Sequence, residues 1–220
     1  MPLPRKLLAN FDEEKFYHVI CKSIDGRKLF LHAENRRYFL QRFHQFTNGF
    51  IETYAWTLLG NHAHFLIRTL SASEIIRHLK KLPAANLTLT HKRFLANQCD
   101  FHELIEQQFN RFFIAYTLSF NKMHQVSGHL FNRPFRRIEL ADEAHITQLY
   151  VYIHSNVMKH GVMKDFREYK WSSYLSILSN NPTHIMRSKA LDWFGGKEQF
   201  IKLHATMSQY YYNHEFSGED

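Results

Sequence analysis

Cysteine is scarce in this chain. Cys21 and Cys99 are the only two in 220 residues; they lie far apart and in no Cys-x-x-Cys pair, which excludes a disulfide framework and a thiolate zinc site. A reducing, cytoplasmic location is the expectation. Long apolar runs are missing too: no segment approaches the ~20 apolar residues of a membrane span. The stretch Met1-Pro-Leu-Pro-Arg-Lys-Leu-Leu-Ala-Asn has too short an apolar run for a signal peptide, so a soluble protein, not inserted in a membrane, is expected. Glycine (8) and proline (5) are sparse, and no linker, low-complexity tract or internal repeat divides the chain. The expected organisation is one domain over residues 1–176 with a C-terminal extension, residues 177–220, packed on it. Aromatic and basic residues, by contrast, are abundant. Twenty Phe, 11 Tyr and a hydrophobic content of 45% supply a core. Lys and Arg number 28 against 20 Asp and Glu, a net charge of +8, which favours a polyanionic partner, either nucleic acid or an anionic membrane surface.

Periodicity divides residues 16–160 into alternating strands and helices. Residues 16–24 are rich in β-formers and stop at the turn signal Asp25-Gly26. Residues 34–47 carry Tyr38, Phe39, Phe43 and Phe46 at helical spacing and stop at Asn48-Gly49. A strand over residues 50–59, a hairpin turn at Gly60-Asn61 and a strand to Thr69 follow. Ser71 and Glu74 have capping-box spacing ahead of the next helix. Residues 84–99 are the least periodic part and read as an insertion or a flexible connection. A long helix is expected over residues 101–123, then a strand over residues 131–140 with an irregular start at Pro134, and a helix from the Asp142 cap to about His160. The fold class expected is α+β: an antiparallel sheet with helices on one face and a C-terminal helical extension.

The chemistry centres on Thr57-Leu-Leu-Gly-Asn-His62-Ala-His64-Phe-Leu-Ile67. Side chains alternate faces along a strand, so His62 and His64 emerge together while Ala63 and Phe65 point the other way. Two imidazoles on one face form a bidentate grip for a divalent metal. Four stretches in order, Leu59-Gly-Asn-His-Ala-His-Phe-Leu-Ile67, Phe120-Asn121 with Ser127-Gly-His-Leu-Phe131, Tyr152-Ile-His-x-Asn156, and Trp171-Ser-Ser-Tyr174, resemble single-tyrosine HUH transposases, particularly the REP-associated branch. The likeness spans roughly residues 15–176. It implies a ferredoxin-like catalytic domain, usually dimeric, that cleaves and rejoins single-stranded or hairpin DNA. It also implies that His62 and His64 bind Mg or Mn and that a tyrosine forms a 5′-phosphotyrosine link. A hard cation prefers oxygen, so a third protein ligand is expected, with His154 and Glu139 as the alternatives.

The nucleophile is where the chain departs from that family. The interval in which many members carry the tyrosine reads here Phe131-Asn-Arg-Pro-Phe135-Arg-Arg137, without a hydroxyl. Either another tyrosine serves or cleavage is lost. Tyr152 matches a family motif and is the candidate, with Tyr150 as runner-up; about 200° of helix separates them, so only one can face the metal. The opposing reading makes Tyr152 a core residue, and Tyr116, among Phe112, Phe113 and Phe120, is expected in the core. Arg133, Arg136, Arg137, Lys80, Lys81 and Lys122 are the candidate DNA contacts. Three functions stay open: a metal-dependent DNA strand transferase, a DNA-binding module that has lost its nucleophile, and an RNA-binding protein using the same sheet.

Overall fold

The computed structural model describes residues 7–213, with side chains to residue 210; the N-terminal stretch 1–6 and the end of the C-terminal extension, 214–220, lie outside the described residues. Four strands form one antiparallel sheet: β1 (Phe16–Lys22), β2 (Ile51–Leu58), β3 (His62–Thr69) and β4 (Arg136–Leu140), in the order β2-β3-β1-β4. Helix α1 (Ala33–Thr47) connects β1 to β2. Three helices, α2 (Ala72–Lys81), α3 (Leu89–Leu95) and α4 (Phe101–His124), lie between β3 and β4. This order and connectivity are the ferredoxin-like arrangement, with α1 and α4 as its two helices.

Local signals account for the boundaries. Ser71 and Glu74 cap α2 reciprocally, and the Asp100 and Asp142 side chains accept the N3 amides of α4 and of α5 (Glu143–Lys159). Gly49 reverses the chain after α1 at φ +84°, and a Cβ there would collide with the His78 ring; both demands leave only glycine. Helix α3 falls within the stretch whose sequence is aperiodic. It is short, starts at a Thr88 cap and buries just His91 and Phe94, too few positions to mark a helical period.

Each sheet face has its own core. Tyr17, Val19, Cys21, Ala63, Phe65 and Ile67 pack against Phe39 and Phe43 of α1 and Phe109, Phe112 and Phe113 of α4. Phe43 stacks on Phe65 with centroids 4.0 Å apart, and the Tyr116 hydroxyl donates to Leu29 O at 2.6 Å within this layer. The opposite face, with Tyr54, Ala55 and Leu66, is covered by α5 and by residues of α6 (Tyr174–Leu178), α7 (Arg187–Trp193) and α8 (Lys197–Asn213). Helices therefore flank the sheet on both sides: α1 and α4 make the single helical layer expected of the ferredoxin-like core, and α5 with the C-terminal helices makes a second.

The sheet edges are partly covered. Trp171 and Ser173 bond to the backbone of β2 (Leu58 N to Trp171 O, Ser173 N to Trp56 O, each 2.9 Å), and Ala9 N bonds to Arg137 O beyond β4 at 3.0 Å. Such partial coverage leaves fewer strand-edge groups as templates for association.

Candidate functional site

The hydrogen-bond register sets the site. Lys22 lies opposite His62 and Ile20 opposite His64 across β1 and β3, so His18, Ile20 and Lys22 share the face of the two histidines. That face is the one covered by α5. The His62 and His64 rings are 5.0 Å apart and nearly perpendicular. His18 Nε2 meets His64 Nδ1 at 2.9 Å, His62 Nδ1 meets Asn61 Oδ1 at 2.7 Å, and His160, at the C-terminal cap of α5, brings its ring within 4.9 Å of His62.

Burial keeps these imidazoles neutral. It lowers His18 to about 3 and His62 to about 3, with the charges of His160 and Lys22 adding to the effect on His62. His64 is lowered well below the ordinary value, first by burial and then by the neighbouring His62, His18, His160 and Lys159. Neutral imidazole is the ligand form. Asn61 Oδ1 can only accept, so His62 carries its proton on Nδ1 and its lone pair on Nε2. Among the described residues no group of three or more His, Cys, Asp or Glu side chains is arranged to hold a metal. The histidine pair therefore offers two neutral ring nitrogens side by side, with no third His, Cys, Asp or Glu donor arranged with them among the described residues.

Helix α5 supplies what faces the pair. The Tyr152 ring stands edge-on to His64 at 6.2 Å and to His18 at 6.3 Å; it is fully buried. Lys159 lies 5.8 Å over the Tyr152 ring. Asn156, buried one turn beyond Tyr152, shares its stripe of the helix. Tyr150 points elsewhere, edge-on to Tyr54 and Phe194, where burial and the Tyr54 charge raise its hydroxyl well above the ordinary tyrosine value.

Both candidate third ligands lie away from the pair. His154 is sealed in the second core, where Nδ1 meets His204 Nε2 at 2.8 Å and Nε2 meets Ser173 Oγ at 2.7 Å. Glu139 pairs across the sheet with Tyr17, a residue of the opposite core, and strand alternation turns it to that face.

The basic candidates also divide. Arg133 and Arg136 line a cleft of about 250 Å³ together with Ile20, Lys22, Asn132 and Pro134, next to the histidine face. Arg137 is not available to a ligand. It is buried, ion-paired with Glu106 at 3.1 Å, bonded to Ala9 O at 2.7 Å and packed over Phe11 and Phe135. Lys80, Lys81 and Lys122 are exposed, on α2 and α4, whose buried residues belong to the core on the far side of the sheet. The structure thus unites His62, His64, Tyr152, Arg133 and Arg136 on one side, and adds His18, Lys22, Asn156 and His160. The spacing of Tyr152 and Asn156 could have signalled the last helical member; nothing local identifies His18 as a neighbour of His64, because strand pairing is long-range.

No protein-family model matches the chain, and no curated protein matches it. Among solved structures it is similar to the REP-associated tyrosine transposase bound to a REP hairpin, with a TM-score of 0.53 over 83% of this chain and 89% of that one. Sequence identity is 12%, so the likeness is one of fold.

Proposed function

We propose that the protein is a transposase-like DNA-binding protein that cleaves and rejoins single-stranded or hairpin DNA through Tyr152. The observation that carries this reading is the packing of Tyr152 against His18 and His64, on the same sheet face as a cleft lined by Lys22, Arg133 and Arg136. The fold it shares with a transposase bound to a DNA hairpin supports it.

The DNA backbone lies along the cleft, its phosphates neutralised by Lys22, Arg133 and Arg136. His62 and His64 would hold a divalent cation, Mg or Mn, and Asn156, on the Tyr152 stripe of α5, would offer the hard oxygen that neither Glu139 nor His154 provides. When bound, the cation polarises a phosphoryl oxygen and offsets its charge. Tyr152 Oη attacks phosphorus in line, forming the Oη–P bond while the P–O3′ bond breaks. The phenolic proton leaves to water and the departing 3′ oxygen takes one up. The product is a 5′-phosphotyrosine and a free 3′-hydroxyl, and attack by a 3′-hydroxyl on the same phosphorus reverses the step and rejoins the strand. Lys159 over the Tyr152 ring favours the phenolate that develops.

The full burial of Tyr152 favours a second reading, a DNA-binding module without cleavage. One assay separates the two. A labelled single-stranded DNA hairpin is incubated with the protein and Mn²⁺, and the mixture is resolved under denaturing conditions. A covalent adduct that persists in Tyr150→Phe and vanishes in Tyr152→Phe and His64→Ala establishes cleavage. DNA binding without an adduct establishes the module, and tighter binding to an RNA hairpin of the same sequence overturns both.

A further inference from the structure

His62 and His64 are not held alike. His62 leans on Asn61 Oδ1, an atom that can only accept, so its tautomer has no alternative. His64 leans on His18, a second imidazole that can donate or accept. In one arrangement His64 Nδ1–H donates to His18 Nε2, leaving a lone pair on His64 Nε2. In the other, His18 Nε2–H donates and the His64 proton sits on Nε2, where no cation can be ligated. Both rings are buried and tilted by only 27° at 5.1 Å. The tautomer of one is therefore tied to that of the other.

We propose that His18 is a positioning residue that accepts from His64 Nδ1–H and holds His64 in the tautomer able to bind a cation through Nε2. The inference rests on the reading of His62 and His64 as cation ligands and adds a residue to it. Its place in the fold explains the contact. His18 sits two residues from Ile20, the cross-strand partner of His64, and such diagonal neighbours on one face are within reach of long side chains. Residues that bond the far nitrogen of a ligating histidine commonly set affinity by ~10–100-fold.

Two measurements on the full chain test this. Long-range ¹H–¹⁵N spectra of the metal-free protein are expected to show His64 protonated on Nδ1, and to show that preference lost in His18→Phe. Calorimetric titration with Mn²⁺ is expected to show an affinity loss of ~10–100-fold in His18→Phe, and recovery to within about threefold in His18→Gln, whose amide oxygen restores an acceptor. A wild-type spectrum with the proton on His64 Nε2 overturns the inference. So does a His18→Phe protein with wild-type melting behaviour that binds Mn²⁺ as tightly as the wild type. If His18→Phe does not fold, the wild-type spectrum and His18→Gln decide. Failure of the underlying reading looks different: wild type and His62→Ala would then bind Mn²⁺ equally, while the metal-free spectrum still judges His18.

Discussion

Helix α5 runs between two histidine clusters that solve opposite problems. In the second core, each hydrogen bond of the His154 network has one possible direction. His204 Nδ1 faces Phe200 O at 2.8 Å and must donate, so His204 Nε2 accepts from His154 Nδ1–H. His154 Nε2 then accepts from the Ser173 hydroxyl, whose oxygen accepts Trp56 N–H at 2.9 Å. All four ring nitrogens are hydrogen-bonded, one within α8 and three in the chain that ties α8 to α5 and α5 to Ser173 at the β2 edge. Around His62 and His64, positive charge gathers instead: Lys22 and Lys159 bear on the neutral rings, to which His160, itself lowered by burial and those lysines, adds another imidazole, beside a cleft with two arginines. A cluster with its hydrogen-bonding capacity spent holds a structure together. A cluster of neutral rings in a positive field is suited to receive an anion and its counterion.

The comparison is broken most severely by His64→Ala. It should reduce covalent adduct formation by at least about 10³-fold, or ~4 kcal/mol of barrier, while DNA binding measured by mobility shift persists. His154→Ala should do the reverse. Removing that ring leaves the buried Ser173 O–H without its acceptor and His204 Nε2 without its donor, a loss of about 3 kcal/mol in urea unfolding. If His154→Ala lowered adduct formation without lowering stability, the division of labour between the clusters would be wrong.

Acid should find the sealed cluster next. Burial lowers His204 from 6.5 to about 4 and pushes His154 down as well, so below pH 6.5 the unfolded chain binds protons that the folded chain refuses. The His204 contribution is then largest above the ordinary histidine value, falls as the pH drops from 6.5, and stops changing below its folded value of about 4. From His204 alone the loss between pH 7 and pH 5 is on the order of 2 kcal/mol. His204→Phe should reduce that slope in denaturant titrations at successive pH values, the remainder coming from the other buried histidines, His18, His62, His64 and His154.

How much of this was legible in the sequence depends on the range of the physics. Period-two alternation put His62 and His64 on one face without any structure, and capping and helical periodicity placed α1, α2, α4 and α5. The same angular arithmetic contains more. His154 lies two residues from Tyr152, about 200° around the helix, so a Tyr152 that faces the histidines already sends His154 elsewhere, whereas Asn156 at i+4 stays with it. The rotation of α5 that selects Tyr152 over Tyr150 was not legible; it comes from packing Leu149, Ile153 and Val157 against the sheet and the C-terminal helices. The meeting of His18 with His64 was equally hidden, because it depends on the register between β1 and β3. Along β4, alternation separates Arg136 from Arg137, but which arginine faces the core is decided by Glu106, Phe11 and Phe135, brought in from distant parts of the chain.

That last distinction yields the smallest expected effect and the finest division between the two sides of the sheet. Arg133→Ala and Arg136→Ala should each weaken binding to a single-stranded DNA hairpin by about tenfold or less and lower the slope of log affinity against log salt by about one, as expected for the loss of one phosphate contact. Lys80→Ala, Lys81→Ala and Lys122→Ala, on the far side, should leave that slope unchanged. Arg137→Ala should spare the slope but lower stability, since it strips a buried ion pair and a cation–aromatic contact from the first core. Equal salt slopes for the near-side and far-side substitutions would mean that DNA does not follow the cleft. The histidine face would then lack the polyanion that its positive surroundings are suited to hold.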